Sequence, residues 1–220
     1  MIEGTDGSGK GTQTDLLVER LKAEGHAVQS ISFPRYGERS AAMVEDYLHG
    51  KYGTAAEVGP YRASIFYAAD RYAASTEMKT WLDEGKVVIA NRYVGSNMGH
   101  QGGKIADPEE RSRYFTWVRD LEYTIFGIPK PDVNLILHVP AEVASALIDQ
   151  KEDRAYLQGK KRDIHEADLA HLKAAEVSYL DMAARFPEFT LVECAPNGEL
   201  LSRELIHDLI WQQVAPRLAQ

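Results

Sequence analysis

The chain is 220 residues long, 44% hydrophobic and 26% charged, with a formal net charge of −8 and one cysteine, Cys194. That length suits a single domain, 1–220, with a mobile insertion at most, and the acidic balance excludes a nucleic-acid surface, which needs a clustered basic excess. No apolar run reaches membrane-spanning length and no basic-then-apolar leader begins the chain, so a cytoplasmic protein with no membrane partner is expected.

In chain order, Met1 to Glu3 must supply a strand, short as it is, because the next stretch, "GTDGSGKGT" at 4–12, fits the phosphate-binding template G-x-x-x-x-G-K. Gly4, Gly9 and Lys10 occupy its fixed positions. Residues without side chains let backbone N–H groups curl around phosphate oxygens, and the lysine reaches the outer phosphates. A helix over 12–24 follows, so the loop opens onto a helix N-terminus that favours anions. The template places Ser or Thr directly after the lysine as a magnesium ligand; here Gly11 stands there, with Thr12 one step on. ATP or another nucleoside triphosphate, with Mg²⁺, is the expected ligand pair.

Strand candidates "HAVQSISF", "KVVIANRY", "DVNLILHV" and "EFTLVECA" then alternate with helices expected around 60–84, 108–126, 141–150, 164–186 and 199–213. This alternation predicts an α/β fold, a parallel sheet with helices on both faces. The apolar setting of Cys194 predicts a buried, inert thiol. The charged stretch 149–169, broken by Gly159, reads by itself as a solvated helical surface. Beside a phosphate loop it reads instead as a cover that brings Arg154, Lys160, Lys161 and Arg162 over a triphosphate.

Ligands of open α/β sheets collect beyond the carboxyl ends of the strands. There the sequence places Phe33, Arg35 and Tyr36 in "FPRYG", and Asn91, Arg92, Ser96 and Asn97 in "NRYVGSN". The intervening helix adds Tyr67, Asp70 and Arg71 in "YAADR". Guanidinium forks suit an acceptor phosphate and aromatic faces suit a nucleobase. Taken singly, Phe33 and Tyr67 read as core residues, and Arg71 as a partner for a neighbour of Asp70 or for Glu77. Arg92 is expected to find little to pair with except an anion.

"EGTDGSGKGTQ", "SFPRYG", "YAADR", "NRYVGSN" and "RDIHEADLAHLKAAEVSYLDMA" resemble, in this order and over essentially the whole chain, the thymidylate kinases, which pass the γ-phosphate of ATP to dTMP. The resemblance implies a three-layer P-loop kinase fold with a five-stranded parallel sheet, a basic lid at about 150–163, and a homodimer packed through helices. It assigns the ATP phosphates to Gly4, Thr5, Asp6, Gly7, Ser8, Gly9, Lys10, Gly11 and Thr12, and the adenine to Ala195 and Pro196. Arg35 and Arg92 would grip the dTMP phosphate, Tyr67 would stack on thymine, and Arg71 and Asn97 would bond its edge. Phe33, Tyr36, Ser96 and His100 would complete the acceptor pocket. Arg154 and Arg162 of the lid, with Lys10, Asp6 and Arg92, would act on the transferring phosphoryl group, and Asp6, Thr12 and Glu166 would hold Mg²⁺. Two positions depart from the family: Asn91 replaces the usual Asp, and His100 replaces a tyrosine near the sugar.

Three alternatives remain at this level. A nucleoside kinase shares the loop but needs a carboxylate base near a free hydroxyl. Another nucleoside monophosphate kinase shares "GSGKGTQ", and a non-catalytic nucleotide switch needs no second anion site.

Overall fold

Five strands form one all-parallel sheet in the order β2-β3-β1-β4-β5: β1 (Ile2–Glu3), β2 (Val28–Ser32), β3 (Val87–Asn91), β4 (Asn134–His138) and β5 (Phe189–Glu193). The computed structural model describes residues 1–149 and 169–218, so the expected lid lies outside the described residues. Two residues suffice for β1 because it is central. The Arg92 amide donates to the Ile2 carbonyl at 2.9 Å and the Leu135 amide to the Met1 carbonyl at 2.9 Å, so both flanking strands hold it. The Met1 ammonium donates to the Val133 carbonyl at 2.7 Å.

Around the sheet lie α1 (Lys10–Ala23), α2 (Ala42–Leu48), α3 (Ala55–Asp83), α4 (Val94–Ser96), α5 (Pro108–Arg119), α6 (Ala141–Asp149), α7 (Leu169–Arg185) and α8 (Arg203–Leu218). Strand side chains alternate between faces, and β4 shows the consequence. Ile136 joins Phe33, Tyr93, Phe115 and Tyr179 on one side, while Leu135 and Leu137 join Leu17, Leu21, Ile206 and Ile210 on the other. Cys194 is buried in the second cluster, and burial pushes its thiol up to about 12, as expected of an inert cysteine.

Three elements differ from the sequence expectation. α3 starts at Ala55 rather than near 60, because Thr54 and Glu57 form a reciprocal capping box and the helix bends at Gly59 (φ 74°), ahead of Pro60, instead of starting there. α5 ends at Arg119 and widens into a π-helical stretch, Asp120–Ile125. α8 runs on to Leu218 through Pro216, since Ile206, Ile210 and Val214 recur every four residues and keep its apolar face buried. α2 has no counterpart among the expected helices; its Val44, Tyr47 and Leu48 bury against α3.

Candidate functional site

The loop from Gly4 to Gly9 joins β1 to α1 at the carboxyl end of the sheet. Its glycines are required by space as well as by angle. A Cβ on Gly4 (φ 139°) would lie 2.6 Å from the Leu137 carbonyl oxygen, and one on Gly7 (φ 83°) would lie 2.3 Å from that of Ala144. The start of α1 is built unlike those of α3 and α5. Thr54 and Asp107 cap those two helices and acidic residues lie in their first turns, whereas α1 has Gly9 at its N-cap, no side-chain cap and no acidic residue in its first turn. Its N-terminal amides are left for an anion.

Lys10 Nζ donates to the Thr5 carbonyl at 2.6 Å, folding the lysine back over its own loop. Asp6, Gly7, Gly9, Lys10, Gly11, Asn91 and Arg92 line a cavity of about 230 Å³. Asn91 Oδ1, Thr5 Oγ1 and Ser8 Oγ are buried without hydrogen-bond partners among the described residues. Orphaned polar groups are costly to leave unmade, and here they cluster where a charged ligand would supply partners.

Arg92 corrects the expectation that it would lack protein partners. Its Nη2 bonds Asp6 Oδ1, and its Nη1 lies 2.8 Å from His100 Nε2 and 3.4 Å from Ser96 Oγ. Its backbone sits in the left-handed region (φ 67°), a strained state for a residue with a side chain, of a kind that gathers at functional sites. Burial works against the guanidinium charge, but the groups around it, Asp6 foremost with Tyr179, Glu3 and Tyr36, together outweigh burial and hold the pKa above the usual value. Burial, with the Arg92 charge beside it, keeps His100 well below the ordinary histidine range. The imidazole is therefore neutral, and Nε2 accepts from Arg92. His100 also stacks on His171 at 5.8 Å and meets the Tyr179 ring edge-on at 5.7 Å.

Beneath this cluster, Glu3 accepts from the Tyr93 amide at 2.8 Å and from Ser96 Oγ at 2.6 Å, and burial raises its pKa. Arg35 is anchored by Asp70, which takes its backbone N–H at 2.8 Å and its Nε at 3.0 Å, while Ser40 Oγ takes Nη2 at 2.8 Å. Arg71 finds neither of its expected partners. Glu122 receives its Nε at 2.5 Å and its Nη2 at 2.7 Å, in a pair with both side chains essentially sealed from water. Asn97 Nδ2 joins the same carboxylate at 3.0 Å. Phe33 is buried against Tyr93, the half-buried Tyr67 meets Tyr47 edge-on at 6.4 Å, and Tyr36 is exposed. Ala195 and Pro196 follow β5 at the same end of the sheet as the glycine loop, with Ala195 buried. Thr12 is exposed on the first turn of α1.

Glu3, Glu122, Tyr179 and His171 join the site but are not among the residues that the sequence predicts there. Glu3 ends a strand directly before the glycine loop, a placement that points to it; Glu122 carries no such signal, being 51 residues from Arg71. Arg154, Arg162 and Glu166 lie outside the described residues. Among the described residues no group of three or more His, Cys, Asp or Glu could hold a metal ion, and no helix is long and apolar enough to cross a membrane.

Comparison with known proteins settles the family. A sequence model described as thymidylate kinase matches residues 2–200. The chain belongs to the thymidylate kinase family. It is 32% identical to a thymidylate kinase of Mycobacterium tuberculosis over 84% of this chain and 85% of that protein. It is 29% identical to one of Clavibacter sepedonicus over 93% and 90% of the two chains, and 28% identical to one of Bifidobacterium longum over 94% and 95%.

Proposed function

We propose that this member of the family is a phosphotransferase that moves the γ-phosphoryl group of ATP to the phosphate of dTMP. One observation supports it above the rest: the Arg92 guanidinium is drawn onto Asp6 of the glycine loop, so a donor cradle of main-chain amides and an acceptor cation face one cavity. An acceptor phosphate is already ionised near neutral pH, so positioning and charge neutralisation suffice and no general base is needed. Asn91, uncharged where the family usually has Asp, is compatible with that chemistry.

In this reading Lys10 and the amides of residues 6–12 hold the ATP phosphates, Ala195 and Pro196 support the adenine, and Arg35 and Arg92 hold the dTMP phosphate. Tyr67 stacks on the base, Arg71 and Asn97 read its edge, and Phe33, Tyr36, Ser96 and His100 enclose the sugar side. Mg²⁺ fits the donor set, because it is a hard cation that takes one or two carboxylates and lets phosphates and water complete its shell. Asp6 and Thr12 would supply oxygens to it, with Glu166 from the charged segment; when bound, the ion neutralises charge on the phosphates. Arg154 and Arg162 of that segment, the lid of a single-domain kinase, would neutralise the transferring group. The apolar row Tyr61, Ile65 and Tyr72, exposed on one face of α3, supports a homodimer packed through helices. The cytoplasm is the compartment proposed.

The test is a coupled ADP-release assay with MgATP over dTMP, dUMP, dCMP, AMP and free thymidine. Turnover highest with dTMP is expected; turnover confined to thymidine, or absent from every acceptor, overturns the reading.

A further inference from the structure

Glu122 lies at the junction of the two residues that face the base in the reading above, and it touches both. It comes from the π-helical stretch after α5 and is fully buried. One carboxylate oxygen accepts from Arg71 Nε, and the other accepts from Arg71 Nη2 and from Asn97 Nδ2. The second hydrogen of the Asn97 amide goes to the Ser64 carbonyl at 3.1 Å. Both partners of Nδ2 are therefore acceptors only, so a flipped amide would set oxygen against oxygen. The Asn97 backbone is held too, since Tyr114 Oη donates to its carbonyl at 3.0 Å and meets Ser64 Oγ at 2.7 Å.

This arrangement leaves two atoms over. Arg71 Nη1 and Asn97 Oδ1 make no hydrogen bond with the described residues, and neither is among the polar atoms sealed from solvent without a partner. One is a donor and the other an acceptor. A 4-oxo pyrimidine offers the complement, an acceptor at O4 and a donor at N3–H. A 4-amino pyrimidine offers a donor at N4 and an acceptor at N3, so it would leave both pairs mismatched. Sites built to hydrogen-bond a group reject analogues lacking it far more strongly than apolar pockets do.

We infer that Glu122 is a positioning residue for base selection: by fixing the side-on pose of Arg71 and the amide orientation of Asn97 together, it makes the acceptor site choose thymine over cytosine. The inference rests on the dTMP-kinase reading. A glutamine at 122 has one acceptor and one donor, so it cannot receive three N–H groups. It must release part of the Arg71 pair or turn the Asn97 amide, and a turned amide presents N–H to the base, which suits cytosine N3.

The experiment compares kcat/KM for dTMP and dCMP in wild type, Glu122→Gln and Glu122→Asp, with KM for ATP and thermal unfolding measured in parallel. In wild type, dTMP is strongly preferred; failure of wild type to use dTMP overturns the functional reading and this inference with it. In Glu122→Gln the dTMP-to-dCMP preference is expected to fall by about 10-fold or more, carried mainly by KM for the nucleotide, with KM for ATP within about twofold. Glu122→Asp keeps the charge but is too short to span both partners, and loses about threefold or more of the preference; it carries the test if the glutamine variant does not fold. Parallel loss on dTMP and dCMP, with their ratio unchanged, means a purely structural role and overturns the inference while leaving the kinase reading intact.

Discussion

The two halves of the candidate site are built on opposite principles. On the phosphate side, polar groups are left waiting: α1 is uncapped, Asn91, Thr5 and Ser8 carry buried orphaned oxygens, and Arg92 is strained. On the base side most polar groups are already bonded, with Arg71, Glu122, Asn97, Ser64 and Tyr114 in one network. In the function proposed above, the phosphate side gains its partners from a ligand, and the base side holds still while a ligand is compared with it. Substitutions on the first should therefore cost activity without folding, and on the second, folding as well as activity.

Lys10→Ala is the largest expected effect on this account. The lysine bonds the Thr5 carbonyl of its own loop, so its removal should lower kcat/KM on the order of 10³-fold while leaving the fold nearly unchanged. Steady-state kinetics beside a thermal melt would check it. A melt lowered as far as the activity would show that the phosphate side is also structural.

The contrast is sharpest between two arginines. Arg71→Ala leaves the Glu122 carboxylate buried and unpaired, and breaking such a pair costs about 3–5 kcal/mol of stability. Arg92→Ala should cost less in folding than Arg71→Ala, because the Arg92–Asp6 pair keeps some access to solvent that Arg71–Glu122 lacks, and should raise KM for dTMP by ~10- to 100-fold, the worth of a charge-assisted bond to a phosphate. Urea unfolding and dTMP titration of both variants decide the matter. Equal losses of stability would erase the distinction between the halves.

The same division explains what the sequence could show. The glycine loop is legible because its chemistry is local: nine consecutive residues specify the turn, the lysine and the helix start. The sheet is legible because four strands are apolar runs between helical ones, as their pairing bears out. Glu122 is not legible, since an acidic residue near the end of an amphipathic helix looks like solvent-facing charge until the π-helical stretch turns it inward. Nor is the partner exchange, in which Asp70 takes Arg35 and the adjacent Arg71 takes Glu122. Both depend on contacts across the fold, which residue spacing does not encode.

Lys104 offers the smallest and most selective probe of the base side. Its Nζ donates to Tyr47 Oη at 2.6 Å and Gln101 Oε1 at 2.7 Å, behind the ring contact between Tyr47 and Tyr67, and burial pulls its pKa down to about 8. An unfolded lysine titrates near 10.4, so above pH 8 the unfolded chain keeps a proton that the folded protein has released. Stability then rises with pH by about 1 kcal/mol per unit, and is lost as pH falls through the folded value. Cys194 opposes the rise over the same range, since its buried thiol keeps a proton that an unfolded thiol releases at about 8.5, and above about pH 9.5 unfolded tyrosines ionise while burial holds those of Tyr114 and Tyr179 back. Lys104→Met removes this group and leaves Cys194 and the Met1 amino group in place, so the urea midpoint of wild type should climb relative to that of the variant from pH 8 to 9. A variant that climbs equally would assign the slope to other groups and leave the packing behind Tyr67 insensitive to charge.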